Sequence, residues 1–148
     1  MYRQAVGGAP LGTDQGFSRR RDLDVTVAAL PQHLPLLRQT ARSFAAFHAV
    51  PSPEDVRLAV SEAALNAVQY AYPADDPGPV RLHGTYDNGW VTFTVEDHGV
   101  GLRPGLDHGL GLGLPIAARV ADHFSVETLD GGGTRVRLVF ATGPETAR

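Results

Sequence analysis

The sequence predicts an α+β domain: a two-layer α/β sandwich with helices on one face of a mixed, mostly antiparallel sheet. Three observations carry that prediction. Short segments alternate apolar and polar residues with period two, and most of them flank a tight turn, as hairpin strands do. Two longer segments after the first strand place apolar residues at helical spacing. A third helical stretch separates the two hairpins, so the order is β-α-α-β-β-loop-α-β-β. A doubly wound parallel sheet fits that order poorly.

Residues 1–20 are rich in Gly and small residues without periodicity, and the composition predicts a mobile arm. Leu23, Val25 and Val27 alternate with Asp24 and Thr26, which predicts a strand over 22–29. From Pro31 the apolar residues Leu34, Leu37, Ala41, Phe44, Ala45 and Phe47 predict a helix over 31–48, ended by Pro51 and Pro53. Ser52 then suits an N-cap, Pro53 the first helical position, and Glu54 and Asp55 the positive end of the helix dipole. This second helix is predicted over 53–71. Its apolar arc holds Val56, Ala59, Val60, Ala63, Ala64, Ala67 and Ala71, beside a polar strip of Asp55, Glu62, Asn66 and Gln69.

Val80–Tyr86 and Trp90–Glu96 flank Asp87-Asn88-Gly89 as a hairpin. His98 to Gly111 reads as a glycine-rich loop, Leu112 to Phe124 as a helix, and Phe124–Leu129 with Thr134–Phe140 as a second hairpin around Asp130-Gly131-Gly132-Gly133. The domain is thus expected over 21–141, with a short tail over 142–148.

At 148 residues the chain has the length of one domain, and 43% hydrophobic with 20% charged residues describes a globular protein. No apolar run nears the roughly 20 residues of a membrane span, and a formal charge of -3 gives no pull toward nucleic acid or anionic lipid. No secretory signal is legible, so a cytoplasmic protein is expected. The absence of cysteine excludes disulfides, thiolate metal sites and cysteine nucleophiles. All thirteen basic residues are arginine, which excludes Schiff-base lysines and a Walker-type clamp. The six histidines show no ligand-like pairing on a shared helix, which argues against zinc.

Glu62 and Asn66 are one helical turn apart and leave the same face. An Asn oxygen is a good ligand for Mg²⁺ shared with substrate phosphates, and a Glu one turn earlier can orient or deprotonate a hydroxyl or a water. The same pair also makes an ordinary solvated strip. Asp97 stands at a strand end before Gly99 and Gly101, where a carboxylate can accept from the amine of adenine and the glycines let the base approach. Gly109, Gly111 and Gly113 precede a helix, whose free amides favour phosphate. Each glycine segment alone is a common turn sequence. The order of the three pieces is more specific than any one.

Together these residues resemble the GHKL ATPases, which include gyrase and the histidine kinases. Glu62-x-x-x-Asn66 looks like the N box, Asp97-x-Gly99-x-Gly101 like the first glycine box, and Gly109-x-Gly111-x-Gly113 like the second. The resemblance runs from about Leu23 to Phe140. It is strongest to the small anti-sigma factor serine/threonine kinases, through Ala59-Val60-Ser61-Glu62-Ala63, Asn66-Ala67-Val68 and Ala71-Tyr72. It implies the Bergerat fold, ATP and Mg²⁺ as cofactors, Asn66 as metal ligand, Glu62 as general base and Asp97 as reader of adenine. It gives the glycines to the lid and the phosphates, Thr134 either to the base through water or only to the start of a strand, and Arg103 either to the γ-phosphate or to solvent. Tyr70 stands where family members often have histidine.

The function implied is a protein kinase that phosphorylates a STAS-type anti-anti-sigma factor and holds a sigma factor inactive, as a homodimer, without nucleic acid or membrane as partner. The alternative is a non-catalytic module in which ATP orders the lid and the ordered surface captures a protein; the carboxylate at Glu62 favours catalysis. A detached histidine kinase domain is disfavoured, because only one helix precedes the anchoring helix.

Overall fold

A computed structural model of the chain describes residues 22–100 and 114–144. Five strands form one sheet: β1 Asp22–Ala28, β2 Pro79–Asp87, β3 Trp90–Asp97, β4 His123–Thr128 and β5 Thr134–Ala141. The strand order is β1-β2-β3-β5-β4, and all four pairings are antiparallel. No parallel pair occurs among the described strands, so the sheet is simpler than the mixed one expected. A 3-10 turn, Pro31–His33, leads into helix α1, Leu34–Phe47; α2 is Pro53–Tyr70 and α3 is Leu114–Val120.

The predicted start of α2 is present. The Ser52 hydroxyl accepts from the Asp55 amide at 3.2 Å, and Glu54 pairs with Arg42 on α1. Ala59, Ala63, Ala64 and Ala67 are all buried, and their small side chains let α2 lie close over the sheet. It is the middle helix of the layer, packed on α1 at one flank and on α3 at the other.

Register carries the core across the sheet in rows. Val25, Leu82, Val95, Val136 and Val126 stand opposite one another from edge to edge, and Leu23, Gly84, Phe93, Leu138 and Phe124 form the next row. Phe93 is fully buried, edge-on to Phe44 of α1 at 5.9 Å and to Phe140 at 6.2 Å. It therefore joins the helix layer to two strands.

Helix α3 corrects the expectation of a helix to Phe124, because it stops at Val120 and His123 already begins β4. The Asp122 amide donates to the Val139 carbonyl at 2.9 Å, and its carboxylate accepts from the Ala141 amide at 2.8 Å. These bonds to β5 draw the chain out of the helix, and helical spacing through Ala121 does not reveal them.

Phe93→Ala removes the side chain that links both layers. Urea unfolding should show a loss of about 3–5 kcal/mol, the usual cost of truncating a buried Phe.

Candidate functional site

The third inner row of the sheet is Val27, Val80, Asp97, Thr134 and Thr128. Val91, Phe93 and Val95 face the helices, so the alternation of β3 aims Asp97 the same way. It is buried, with 6% of its surface exposed, and Thr134 opposite it is buried as well. The Gly99 amide donates to Asp97 Oδ1 at 2.9 Å, and the Thr134 amide also donates to the carboxylate. Burial nevertheless pushes the carboxyl above the usual Asp range, with the two amide bonds opposing it. Among the described residues no basic side chain pairs with it. This is a dry acceptor that a ligand's N–H can satisfy.

Close backbone approach builds its walls. A Cβ on Gly99 would stand 2.0 Å from the Ala71 carbonyl oxygen, and one on Gly133 would stand 2.2 Å from the Asp97 carbonyl oxygen. Gly133 also has φ +113, a conformation that L side chains rarely adopt. The Val100 amide donates to the Ala71 carbonyl at 3.0 Å, which fixes the exit of β3 to the C-terminal end of α2. The turn between β4 and β5 closes the other side.

Glu62 and Asn66 lie on α2, half-buried. Ser61 turns toward α1, where Arg38 Nη1 donates to its hydroxyl at 3.4 Å. About 100° of rotation per residue carries Glu62, and Asn66 one turn later, round to the flank that faces α3. Asn66 Nδ2 donates to the Glu62 carbonyl at 3.4 Å, a bond that does not use Oδ1. From Asn66 to Ala71 is about 7.5 Å along the helix axis. The strand end bearing Asp97 is therefore tied at Ala71 to the helix that carries Glu62 and Asn66.

The donor set fits the groups expected there. A neutral amide oxygen beside a carboxylate suits a hard cation shared with phosphates, and the buried Asp97 in its glycine cradle suits a flat base bearing an N–H donor. Gly101, Arg103, Gly109, Gly111 and Gly113 lie outside the described residues, as does the expected arm. Among the described residues there is no group of three or more His, Cys, Asp or Glu side chains able to hold a metal. Nor is any described helix long and apolar enough to cross a membrane.

Tyr72 is the residue for which the sequence offered no role. Its hydroxyl donates to the Pro79 carbonyl at 2.6 Å and accepts from the His98 amide at 2.8 Å. Its signals were membership of the Ala71-Tyr72 pair that helps carry the resemblance and its place between a helix end and a proline.

Comparison with known proteins bears on the same residues. The sequence model of a family described as the histidine kinase-like ATPase domain matches residues 27–140. Similar curated proteins include anti-sigma F factors from Clostridium beijerinckii (30% identity, 55% of this chain and 66% of that protein), Geobacillus sp. (28%, 80% and 91%) and Bacillus subtilis (26%, 80% and 91%). The chain thus spans just under two thirds of the first of these relatives. Among solved structures, the histidine kinase domain of the E. coli osmosensor EnvZ is similar, at 23% identity and a TM-score of 0.48, covering 65% of this chain and 69% of that one.

The raised pKa of Asp97 makes a signed prediction. The folded chain holds this proton more tightly than the unfolded chain does, so the contribution of Asp97 to stability falls as pH rises through its folded pKa and is least favourable at neutral pH. Asp97→Asn without ligand should melt at or above the wild-type temperature at pH 7. The difference should close as the pH falls through the folded pKa of Asp97, below which the wild-type carboxyl is also neutral.

Proposed function

The chain belongs to the histidine kinase-like ATPase domain family, the GHKL ATPases, close to the anti-sigma factor kinases, and from that premise we propose that it is an ATP-dependent protein serine/threonine kinase acting as an anti-sigma factor. Membership of an ATPase family implies ATP as the nucleotide. The substrate in this reading is a serine or threonine hydroxyl on a STAS-type anti-anti-sigma protein, and the second partner is a sigma factor. The names of the anti-sigma F factors support that pair.

The observation that carries the reading is the junction at Ala71. It ties the helix bearing Glu62 and Asn66 to the strand end bearing the buried Asp97. In this reading Asp97 accepts from the exocyclic amine of adenine, and Thr134 lines the base. Asn66 Oδ1 holds Mg²⁺, which supplies charge neutralisation for the phosphates. Glu62 takes the proton from the attacking hydroxyl, and its place on the helix flank leaves it open to a protein substrate. Gly101, Gly109, Gly111 and Gly113 cover the phosphates, and Arg103 neutralises charge that develops on the γ-phosphoryl group. A cytoplasmic homodimer remains part of the proposal.

The non-catalytic module separates from this reading at Glu62. With γ-labelled ATP and a STAS protein encoded beside this chain, label should appear on the STAS protein. Glu62→Ala should lower the transfer rate by about 10²–10⁴-fold while ATP affinity changes little, as expected on loss of a general base. ATP binding without transfer to that substrate would favour the gated module instead. In calorimetric titrations Asn66→Ala should abolish the gain in ATP affinity that magnesium gives the wild type. Wild-type binding that ignores magnesium would remove the metal role.

A further inference from the structure

Three successive amides follow Asp97, and each has a different acceptor. The His98 amide donates to the Tyr72 hydroxyl at 2.8 Å, the Gly99 amide to Asp97 Oδ1 at 2.9 Å, and the Val100 amide to the Ala71 carbonyl at 3.0 Å. The amide that aims the carboxylate thus lies between two that are anchored to the end of α2. Tyr72 is itself held from the other side. Its hydroxyl donates to the Pro79 carbonyl at 2.6 Å where β2 begins, and its ring lies so near Gly78 that a Cβ there would stand 2.4 Å from the ring. One phenol therefore links the end of α2, the start of β2 and the exit of β3.

We infer that Tyr72 is a positioning residue for base selection: through the His98 amide it fixes the Gly99 amide, and so the direction in which the Asp97 carboxylate meets a purine amine. The inference rests on the reading of Asp97 as the adenine acceptor. A carboxylate held by this anchored amide, with the Thr134 amide as its second donor, presents its remaining lone pairs in one direction, and discrimination by a hydrogen-bonding site depends on that fixed geometry. Burial raises the phenol's own pKa, with the nearby Asp97 charge adding to it, so the hydroxyl stays protonated and keeps its bond to Pro79.

The test compares ATP with inosine triphosphate, which carries a carbonyl in place of the amine. Affinities for both are measured on the full chain as wild type, Tyr72→Phe and Asp97→Asn. Wild type should prefer ATP by about tenfold or more, the scale of a hydrogen bond to a charged acceptor. Tyr72→Phe keeps the ring but loses both bonds. It should weaken ATP by about five- to twentyfold and inosine triphosphate by less than about twofold, with transfer at saturating ATP little changed.

Equal weakening of both nucleotides would mean a purely structural tether and would overturn the proposal. An unchanged preference would overturn it too. A wild type that does not discriminate, or an Asp97→Asn variant whose preference for ATP is undiminished, would instead bring down the reading of Asp97 and the proposal with it. Should Tyr72→Phe melt below the assay temperature, 4-aminophenylalanine at position 72 keeps the donor to Pro79 and is a poor acceptor for His98. The preference should collapse there as well, and its persistence would overturn the proposal.

Discussion

A carboxylate on the core face of the sheet is the constraint around which this molecule is arranged. Asp97 holds the place that the alternation of β3 assigns to an apolar side chain, and it is buried there with two backbone amides and, among the described residues, no ion pair. A buried acceptor of this kind is costly unless something satisfies it. Two glycines, the end of α2 and the turn between β4 and β5 surround it by bringing main chain where side chains would not fit. An N–H donor on a flat ligand can add to the two amides that this carboxylate accepts among the described residues.

The same junction connects that acceptor to the chemistry on α2. The bond from Val100 to Ala71 and the Tyr72 hydroxyl fix the strand end to the last turn of the helix. Asn66 and Glu62 stand about one and a half and two and a half turns earlier, on the flank toward α3. A ligand with its base on Asp97 and its phosphates running back along α2 would meet them in sequence. The alanines of α2 contribute indirectly, since close packing over the sheet sets the height of that flank above Asp97. The opposite flank is occupied by α1, through Arg38 and Ser61.

Much of this was legible in the sequence, for local reasons. Period-two alternation and the Asn88-Gly89 and Gly131-Gly132-Gly133 turns predict the hairpins. The Ser52-Pro53-Glu54-Asp55 start predicts α2, and four-residue spacing puts Glu62 with Asn66. Even the burial of Asp97 and Thr134 follows from counting alternate residues on from Val95 and back from Val136. The end of α3 was not legible, because it is set by bonds from Asp122 to a strand nearly twenty residues later. The role of Tyr72 was hidden for the same reason, as its partners lie 7 and 26 residues downstream.

The most direct measurement is a crystal structure of the chain with a non-hydrolysable ATP analogue and magnesium. The adenine amine should lie within hydrogen-bond distance of the Asp97 carboxylate, with the metal on Asn66 Oδ1 and the phosphates beside Glu62. A nucleotide seated elsewhere, or one bound here with Asp97 still lacking a donor from the base, would contradict it.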